Sequence, residues 1–405
     1  MRGVPDSPCP RAKERSTIDT PEKQAIISGI GISRIGRKTG IAVDELTRES
    51  VAAAIEDAGL SASDIDGVAS LGDTRVDAVA QELGIEPRYR EEGGFGRYGL
   101  LSPVVNAFFA VAEGRARHVL VYRSVQMMGG TIDAGPPPGQ GGLRDAGVPP
   151  AMKDIIPLLA YNAPSAANWL AMHCQRHMHL YGTTKEQLGA LAVNSRRNAG
   201  LNPLAVFRDP MTMEDYLAAR VVSTPFGLYD CDVPIDGSIA FVVSAEDFAP
   251  DCRNRPIRVQ AVGGSDGAGG WFHRPDFPMM AAADAGRELW TRTDLRPSDI
   301  DVAELYDGFT YLTVAWLESL GICGIGEAGP FLEGGQRIAL EGELPLNTYG
   351  GQLSAGRMHG YWVLHEACLQ LRGGAGERQV AGDPEVAVVS NGGGPIAGCM
   401  LLTAS

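Results

Sequence analysis

Four residues occur twice in this chain, in the same surroundings each time. Ser63–Asp66 and Ser298–Asp301 both read S-D-I-D. Each follows a helical pattern and precedes a short apolar run. Asp44 to Ala58 comes before the first, with Leu46, Val51, Ala54 and Ile55 on one face; Met279 to Trp290 comes before the second. A second echo lies further on. The run H-V-L-V-Y-R (His118 to Arg123) follows a helical segment from Pro103 to Glu113, and E-V-A-V-V-S (Glu385 to Ser390) follows one from Tyr361 to Arg372. A unit repeated with its order intact restricts the fold more than any single element can. The chain reads as two similar βα-rich halves, residues 25–255 and 256–405. Helices alternating with apolar strands predict an α/β fold whose sheets are largely parallel and covered by helices. Ala25 to Gly31 and Ile257 to Val262 are the opening strands of the two halves, and Thr74 to Leu83 is a further short helix.

Residues 1–24 are polar and contain proline but no apolar stretch, which reads as a flexible leader and not a signal peptide. Between about 128 and 223 the first half carries a long insertion. It is Gly/Pro-rich at first and then helical, from Ser165 to Leu180 and from Thr184 to Ala199, with Ser165 as cap of the first and Thr183 and Thr184 as candidate caps of the second. Such an insertion reads as a lid over a site or as a dimerisation arm. The net charge of −14 argues against nucleic acid or an anionic membrane surface as partner. No apolar run is long enough to span a membrane. The 7 cysteines are odd in number and form no C-x-x-C pair, which fits reduced thiols in a cytoplasm and no zinc knuckle. His173, His177 and His179 share one helix, but no third ligand type or carboxylate spacing completes a metal site around them, so no metal is expected. Asp232 and Asp236 read as turn residues before the strand around Ile239, and Cys399 as a small buried hydrophobe.

Most of the chemistry is concentrated in Asn347 to Gly360, N-T-Y-G-G-Q-L-S-A-G-R-M-H-G, which opens a helix carrying Val363, Leu364, Ala367, Cys368 and Leu371. Glycine-rich backbone entering a helix can approach a ligand closely and present free N–H groups. Gly350 and Gly351, with Gly392 and Gly393 of N-G-G-G further on, are therefore candidates to hold a thioester oxygen.

Several segments in order carry a resemblance. They are L-Y-G-T-T-K-E-Q-L-G-A-L-A-V-N-S-R-R-N-A-G-L-N-P-L-A from Leu180, Y-D-C-D-V-P-I-D-G-S-I-A-F-V-V-S at 229–244, E-L-Y-D-G-F-T at 304–310, N-T-Y-G-G at 347–351, Q-L-R-G at 370–373, R-Q-V at 378–380 and N-G-G-G at 391–394. Together they resemble the thiolase superfamily, in particular its sterol-carrier-protein-type thiolase branch. The resemblance implies a thiolase-like five-layer αβαβα fold with two similar halves, an acyl-CoA substrate and a homodimer core.

The chain departs from a thiolase where a thiolase does its chemistry. No cysteine lies between Cys9 and Cys174, and the loop before the helix near Pro103 reads E-E-G-G-F-G-R-Y-G-L-L-S. Ser390 stands where the second cysteine is expected, and A-G-R-M-H-G replaces the G-H-P histidine motif. Acyl transfer through sulfur needs a thiolate and its base. Tyr306 instead takes the position of His or Asn in H-D-x-F or N-E-x-F, and Tyr349 sits in N-T-Y-G-G. This pattern is similar to that of the thiolase-like aldolases that cleave steroid side chains, known as lipid-transfer proteins. That group implies two catalytic tyrosines and a small zinc-ribbon/OB-fold partner protein.

The implied reaction is retro-aldol cleavage of a β-hydroxyacyl-CoA: a 17-hydroxy C22 steroid CoA giving a 17-ketosteroid and propionyl-CoA. It needs a base, an acid and oxyanion stabilisation, and no cofactor beyond the CoA thioester of the substrate. Which of Tyr306 and Tyr349 is base and which acid stays open. A free phenol titrates near ~10, so one phenol needs help from a cation, a hydrogen bond or a proton chain. Arg357, His359 and His365 are candidates for that help; Asp307 and Asn347 are supporting residues. The alternatives are an atypical acetyl-CoA acyltransferase using a thiol such as Cys323, or a non-catalytic acyl-CoA- or lipid-binding subunit.

Overall fold

The duplicated S-D-I-D segments fold the same way. Each makes one 3₁₀ turn, Ala62–Asp64 and Pro297–Asp299. The first aspartate closes the turn: Ser61 N–H donates to Asp64 and Arg296 N–H to Asp299, both at 2.8 Å. The second aspartate clamps the start of a neighbouring strand. Asp66 accepts the N–H groups of Arg117 (2.8 Å) and His118 (2.9 Å); Asp301 accepts those of Glu385 and Val386 (2.9 Å each). One short motif thus does one job twice.

The computed structural model describes residues 18–72, 74–128, 155–267 and 269–404. Its main strands are β1 (Ala25–Ile32), β2 (Gly67–Ser70), β3 (Tyr89–Glu92), β4 (His118–Gln126), β5 (Asp236–Ala245), β6 (Ile257–Gly264), β7 (Val302–Glu304), β8 (Val386–Gly392) and β9 (Ala397–Ala404). The longer helices are α1 (Val43–Asp57), α2 (Val76–Leu83), α3 (Ser102–Ala112), α4 (Ala166–Tyr181), α5 (Lys185–Gly200), α6 (Ala281–Trp290), α7 (Thr310–Ser319) and α8 (Tyr361–Arg372). The nine strands form one mixed sheet in the order β3-β2-β4-β5-β1-β6-β9-β8-β7. Read outward from the β1–β6 junction, the halves run β1-β5-β4-β2-β3 and β6-β9-β8-β7. Their winding is the same, with β2 parallel to β4 as β7 is to β8. The second half lacks a counterpart of β3 among the described residues.

Alternation along the strands sets the layers. On the first half, Leu120, Tyr122, Ala240 and Val242 pack outward under α1 and α2. Val119, Val121, Phe241 and Val243 face the main core. There lie α3 and α8, apolar on nearly every side, as helices enclosed between layers must be. Tyr361 of α8 packs on Phe241 at 5.8 Å. On the second half, the Cys399 thiol donates outward to the Ala285 carbonyl of α6, while its neighbour Gly398 lies against the Tyr98 carbonyl on the inner side. The result is helix, sheet, helix, sheet, helix.

Three expectations change. The sheet is not largely parallel: β2 runs parallel to β3 and β4, and β7 to β8, while the other pairs are antiparallel. The folded chain starts before residue 25: Pro21–Gln24 is a 3₁₀ turn, and its fully buried Glu22 accepts two hydrogen bonds from Arg292 at 2.8 and 2.6 Å. Of the expected insertion, 129–154 lies outside the described residues. Its second helix, α5, capped by Thr184, one of the two expected threonines, is largely buried within the fold and so is not a lid. It packs beneath the glycine-rich loop that follows Asn347, as described below.

Candidate active site

Two loops carry the site. The first leaves the end of β7. Tyr306 N–H donates to Ser390 Oγ at 2.9 Å, and Leu305 N–H to Asn347 Oδ1 at 2.7 Å. Ser390, the residue in a thiolase cysteine position, is thus a backbone clamp here. The Tyr306 ring lies flat against Gly308, where a Cβ would come within 2.8 Å of it. Tyr306 is nearly buried.

The second loop is held from below by α5 and the residues just after it. Asn194, Asn198 and Asn202 recur every four residues. Asn194 donates to the Leu346 carbonyl (3.1 Å), Asn198 to those of Leu346 (3.1 Å) and Asn347 (3.2 Å), and Asn202 to that of Tyr349 (2.8 Å). This ladder was visible in the sequence as N-S-R-R-N-A-G-L-N, but its target was not. Gly350 has a left-handed φ of 104° and lies so close to Ala199 that a Cβ would sit 2.5 Å away. One π-helical turn follows, Gly351–Ala355. Such turns recur at functional sites. Tyr349 is fully buried, its ring stacked on Trp362 at 5.3 Å, and its hydroxyl has no hydrogen-bond partner.

Asp307 joins the loops. Its Oδ1 accepts the Gln352 N–H at 2.8 Å, and its Oδ2 is unpartnered. Gly351 presses on that oxygen: a Cβ there would lie 1.9 Å from Oδ2, at a φ of +62°. Gly351→Ala therefore displaces Asp307 and strains the backbone. We expect it to cost about 2 kcal/mol in urea unfolding and to reduce kcat about 100-fold. Wild-type kcat in the folded variant would contradict this account of the loop.

Burial dominates the electrostatics. It pushes the Tyr349 phenol well above its ordinary range, and Asp307, Glu304 and Glu366 push the same way. Burial also raises the Tyr306 phenol, as do Asp232 and Asp307, while Arg357 and the Gln352 side chain act against them. Neither phenol is acidified. The carboxyls are the groups brought near neutrality: burial lifts Asp307 to about 7 and Asp232 to about 6, the latter against the pull of Arg357. Asp232, read above as a turn residue, pairs with Arg357 at 3.2 Å beside Tyr306. In the unfolded chain both carboxyls titrate near ~4. Between about pH 4 and pH 7 the folded state then holds the extra protons, so stability falls as pH rises through that window. Asp307→Asn should flatten part of the fall in urea unfolding measured across this range. An unchanged slope would contradict the buried, proton-holding carboxyl.

The histidines separate. His359 Nδ1 faces Arg123 Nη2 at 3.0 Å; because a guanidinium only donates, Nδ1 accepts and the imidazole is neutral. Burial, Arg123 and Arg357 all drive its pKa down. His365 lies elsewhere on α8, with Arg378 and Arg372 as its charged neighbours, and burial lowers it to about 3. It is not drawn to the tyrosines. His173 and His177 are core residues bonded to the Pro278 carbonyl (3.1 Å) and Glu318 (3.0 Å), whereas His179 is exposed. Among the described residues no group of metal-ligating side chains forms. Of the candidate oxyanion glycines, Gly350 N–H already donates to the Asn347 carbonyl (3.0 Å) and Gly393 N–H to that of Ile396 (2.8 Å), while Gly392 lies in the β8–β9 ladder. Burial pushes the Cys231, Cys323 and Cys368 thiols up to about 12.

Behind the tyrosine loop lies a polar cluster that the sequence reading missed. Glu304 and Glu366 are both fully buried. Thr348 Oγ1 bridges them, 2.6 Å from Glu304 and 2.8 Å from Glu366. Arg378 donates to both oxygens of Glu366, and Gln370 donates to Thr348.

Comparison with known proteins agrees with this geometry. The family model described as thiolase C-terminal domain-like matches residues 268–402. A 17-hydroxy-3-oxo-4-pregnene-20-carboxyl-CoA lyase of Mycobacterium tuberculosis is 34% identical over 93% of this chain and 99% of its own. The chain belongs to the thiolase-like family. A steroid side-chain-cleaving aldolase of Thermomonospora curvata is 35% identical, over 93% of this chain and 97% of the relative. The solved Ltp2-ChsH2(DUF35) aldolase superposes with a TM-score of 0.85 at 32% identity, covering 94% of this chain and 98% of that one. Within the family this member stands with the carbon–carbon lyases.

Proposed function

We propose that this protein cleaves a β-hydroxyacyl-CoA by a retro-aldol reaction, with a 17-hydroxy C22 steroid CoA as substrate and a 17-ketosteroid and propionyl-CoA as products. The observation that carries this reading is the grouping of Tyr306, Tyr349 and Asp307 in one buried region, where Asp307 acts on both phenols. Tyr349 Oη and Asp307 Oδ2 are left there without partners. Buried polar atoms without partners are costly in a mere scaffold and useful where a substrate supplies the partner. The relatives' names point to the same reaction and substrate class.

In the proposed sequence substrate binding brings the Tyr349 hydroxyl within reach of Asp307 Oδ2, both unpartnered in the free protein, and the β-hydroxyl proton passes to the phenol oxygen as that phenol gives its own proton to Asp307. A carboxylate near neutrality solves the problem of two phenols that are not acidified. The O–H electrons form the ketone, the Cα–Cβ bond breaks, and its electrons become the thioester enolate. Tyr306 then protonates Cα and recovers its proton from solvent, to which Asp307 releases the one it took. Arg357, paired with Asp232, keeps positive charge beside Tyr306 while it does so. His359, neutral and fixed by Arg123, supports the loop; Asn347 does the same at the end of β7. No cofactor enters. Acyl transfer through sulfur finds no support, since the thiols named above are held far from the thiolate form.

A homodimer and a small zinc-ribbon/OB-fold partner complete the proposal. Strand β3 has an open edge, and Tyr161, Leu217 and Val221 are exposed apolar residues in the insertion. The test is a cleavage assay on the steroid CoA, with and without the partner and with no free CoA added. Formation of the ketosteroid and propionyl-CoA in equal amounts is expected. Tight acyl-CoA binding without cleavage, partner present, would favour a binding subunit instead.

A further inference from the structure

An enolate needs a hydrogen-bond donor, and two of the backbone glycines expected to provide it do not. The N–H groups of Gly350 and Gly393 are spent inside their own loops. The neighbouring carboxamide is not. Gln352 is fully buried, and its amide makes no well-formed hydrogen bond; the polar group it faces is the Tyr306 phenol, whose pKa it lowers. Its backbone is fixed from two sides: its N–H donates to Asp307 Oδ1 at 2.8 Å, and its carbonyl accepts the Val233 N–H at 2.9 Å. The side chain is therefore held on a rigid π-helical turn beside Tyr306, a phenol on which Asp232 and Asp307 also act. Both ends of a buried amide left without a well-formed hydrogen bond would be expensive without a ligand to use them. The chemistry of the gap is specific. Among the polar groups here, Asp307 as a carboxylate only accepts, the two phenols are engaged in proton transfer, and Arg357 is tied to Asp232.

We propose that Gln352 is a catalytic residue of this site: its Nε2–H group donates to the thioester carbonyl oxygen of the acyl-CoA and holds that oxygen as the enolate forms. This assignment rests on the retro-aldol reading above. It adds a residue with an oxyanion-stabilising role, separate from the proton-transfer roles of the tyrosines. No group other than the substrate enters the step. The bond electrons released from Cα–Cβ reach the oxygen that Gln352 holds, and they return to carbon when Cα is protonated.

Two substitutions test it. Gln352→Leu removes the donor at similar volume, and kcat should fall about 100-fold with KM within a few fold. Gln352→Glu gives a signature that a structural role would not. Buried beside Tyr306 and Asp307, the new carboxyl holds its proton to unusually high pH. When protonated it can donate in place of the amide; when ionised it repels the enolate. Its activity relative to wild type should therefore rise as pH falls. A second readout avoids the steroid: wild type should exchange the α-proton of propionyl-CoA for deuterium, and Gln352→Leu should lose that exchange by a similar factor. Wild type that cleaves and exchanges alongside a Gln352→Leu variant of equal kcat would overturn the assignment alone. Wild type that does neither would overturn the retro-aldol reading and this assignment with it. A flat relative pH profile for Gln352→Glu would also count against the donor role.

Discussion

Tyr349→Phe should lose about 10³-fold in kcat while becoming no less stable than wild type. The two halves of this expectation come from one atom. The Tyr349 hydroxyl is fully buried and unpartnered, so in the resting protein it contributes desolvation cost without a compensating bond. Removing a buried, unsatisfied hydroxyl recovers about 1 kcal/mol, and the ring still stacks on Trp362. Removing the same hydroxyl breaks the proposed proton path to Asp307. Tyr306→Phe should show a comparable kinetic loss, and the double variant little more than either single one, because the two phenols act in one sequence. Steady-state kinetics with urea unfolding on the same preparations checks both halves. Full activity in Tyr349→Phe would remove the tyrosine from the mechanism. A large loss of stability would mean that its hydroxyl is a structural group after all.

The second large effect concerns the buried glutamates, which should respond oppositely to the same change. Thr348 has one hydroxyl proton but lies within 2.8 Å of both carboxyl groups. It donates to one of them, so the other must bring a proton of its own to make its short contact. Arg378 selects which: with its two hydrogen bonds it keeps Glu366 an anion. Glu304 has no cation partner, and burial together with Glu366 raises its pKa strongly. Glu304 is thus the protonated member, donating to Thr348, which donates to Glu366. Glu304→Gln replaces a neutral acid by a neutral amide and should cost about 1 kcal/mol or less. Glu366→Gln leaves Arg378 buried without its counter-charge and should cost about 3 kcal/mol or more. Because Thr348 precedes Tyr349, the second variant should also lose activity. Urea unfolding of the two variants decides it; equal costs would contradict the assignment of charge.

The pseudo-repeat was legible because it is local. Helix period, apolar strands and S-D-I-D all lie within short windows, and the winding of both halves follows from them. The tyrosines were legible only through motif resemblance. Nothing in periodicity distinguishes Tyr349 from a core aromatic, and by burial it is one. What escaped the sequence depends on contacts between distant segments. Asp232 looked like a turn residue because its partner Arg357 is 125 positions away. Glu304 and Glu366 meet only through Thr348, from a strand, a loop and a helix. The α5 asparagines show a regular spacing, but their acceptors are carbonyls about which side-chain patterns say nothing. Two of the expected free N–H groups failed for a related reason: Gly350 and Gly393 have the flexible backbone that a ligand loop needs, but tight turns consume the donors they would offer.

The most direct single measurement is the deuterium content of propionyl-CoA formed in D₂O from the 17-hydroxy C22 steroid CoA. Cleavage through an enolate that is protonated on Cα predicts at least one solvent deuterium at C2 of each product molecule, with no free CoA consumed. Propionyl-CoA without that deuterium, or product that forms only when CoA is supplied, would contradict retro-aldol cleavage at this site.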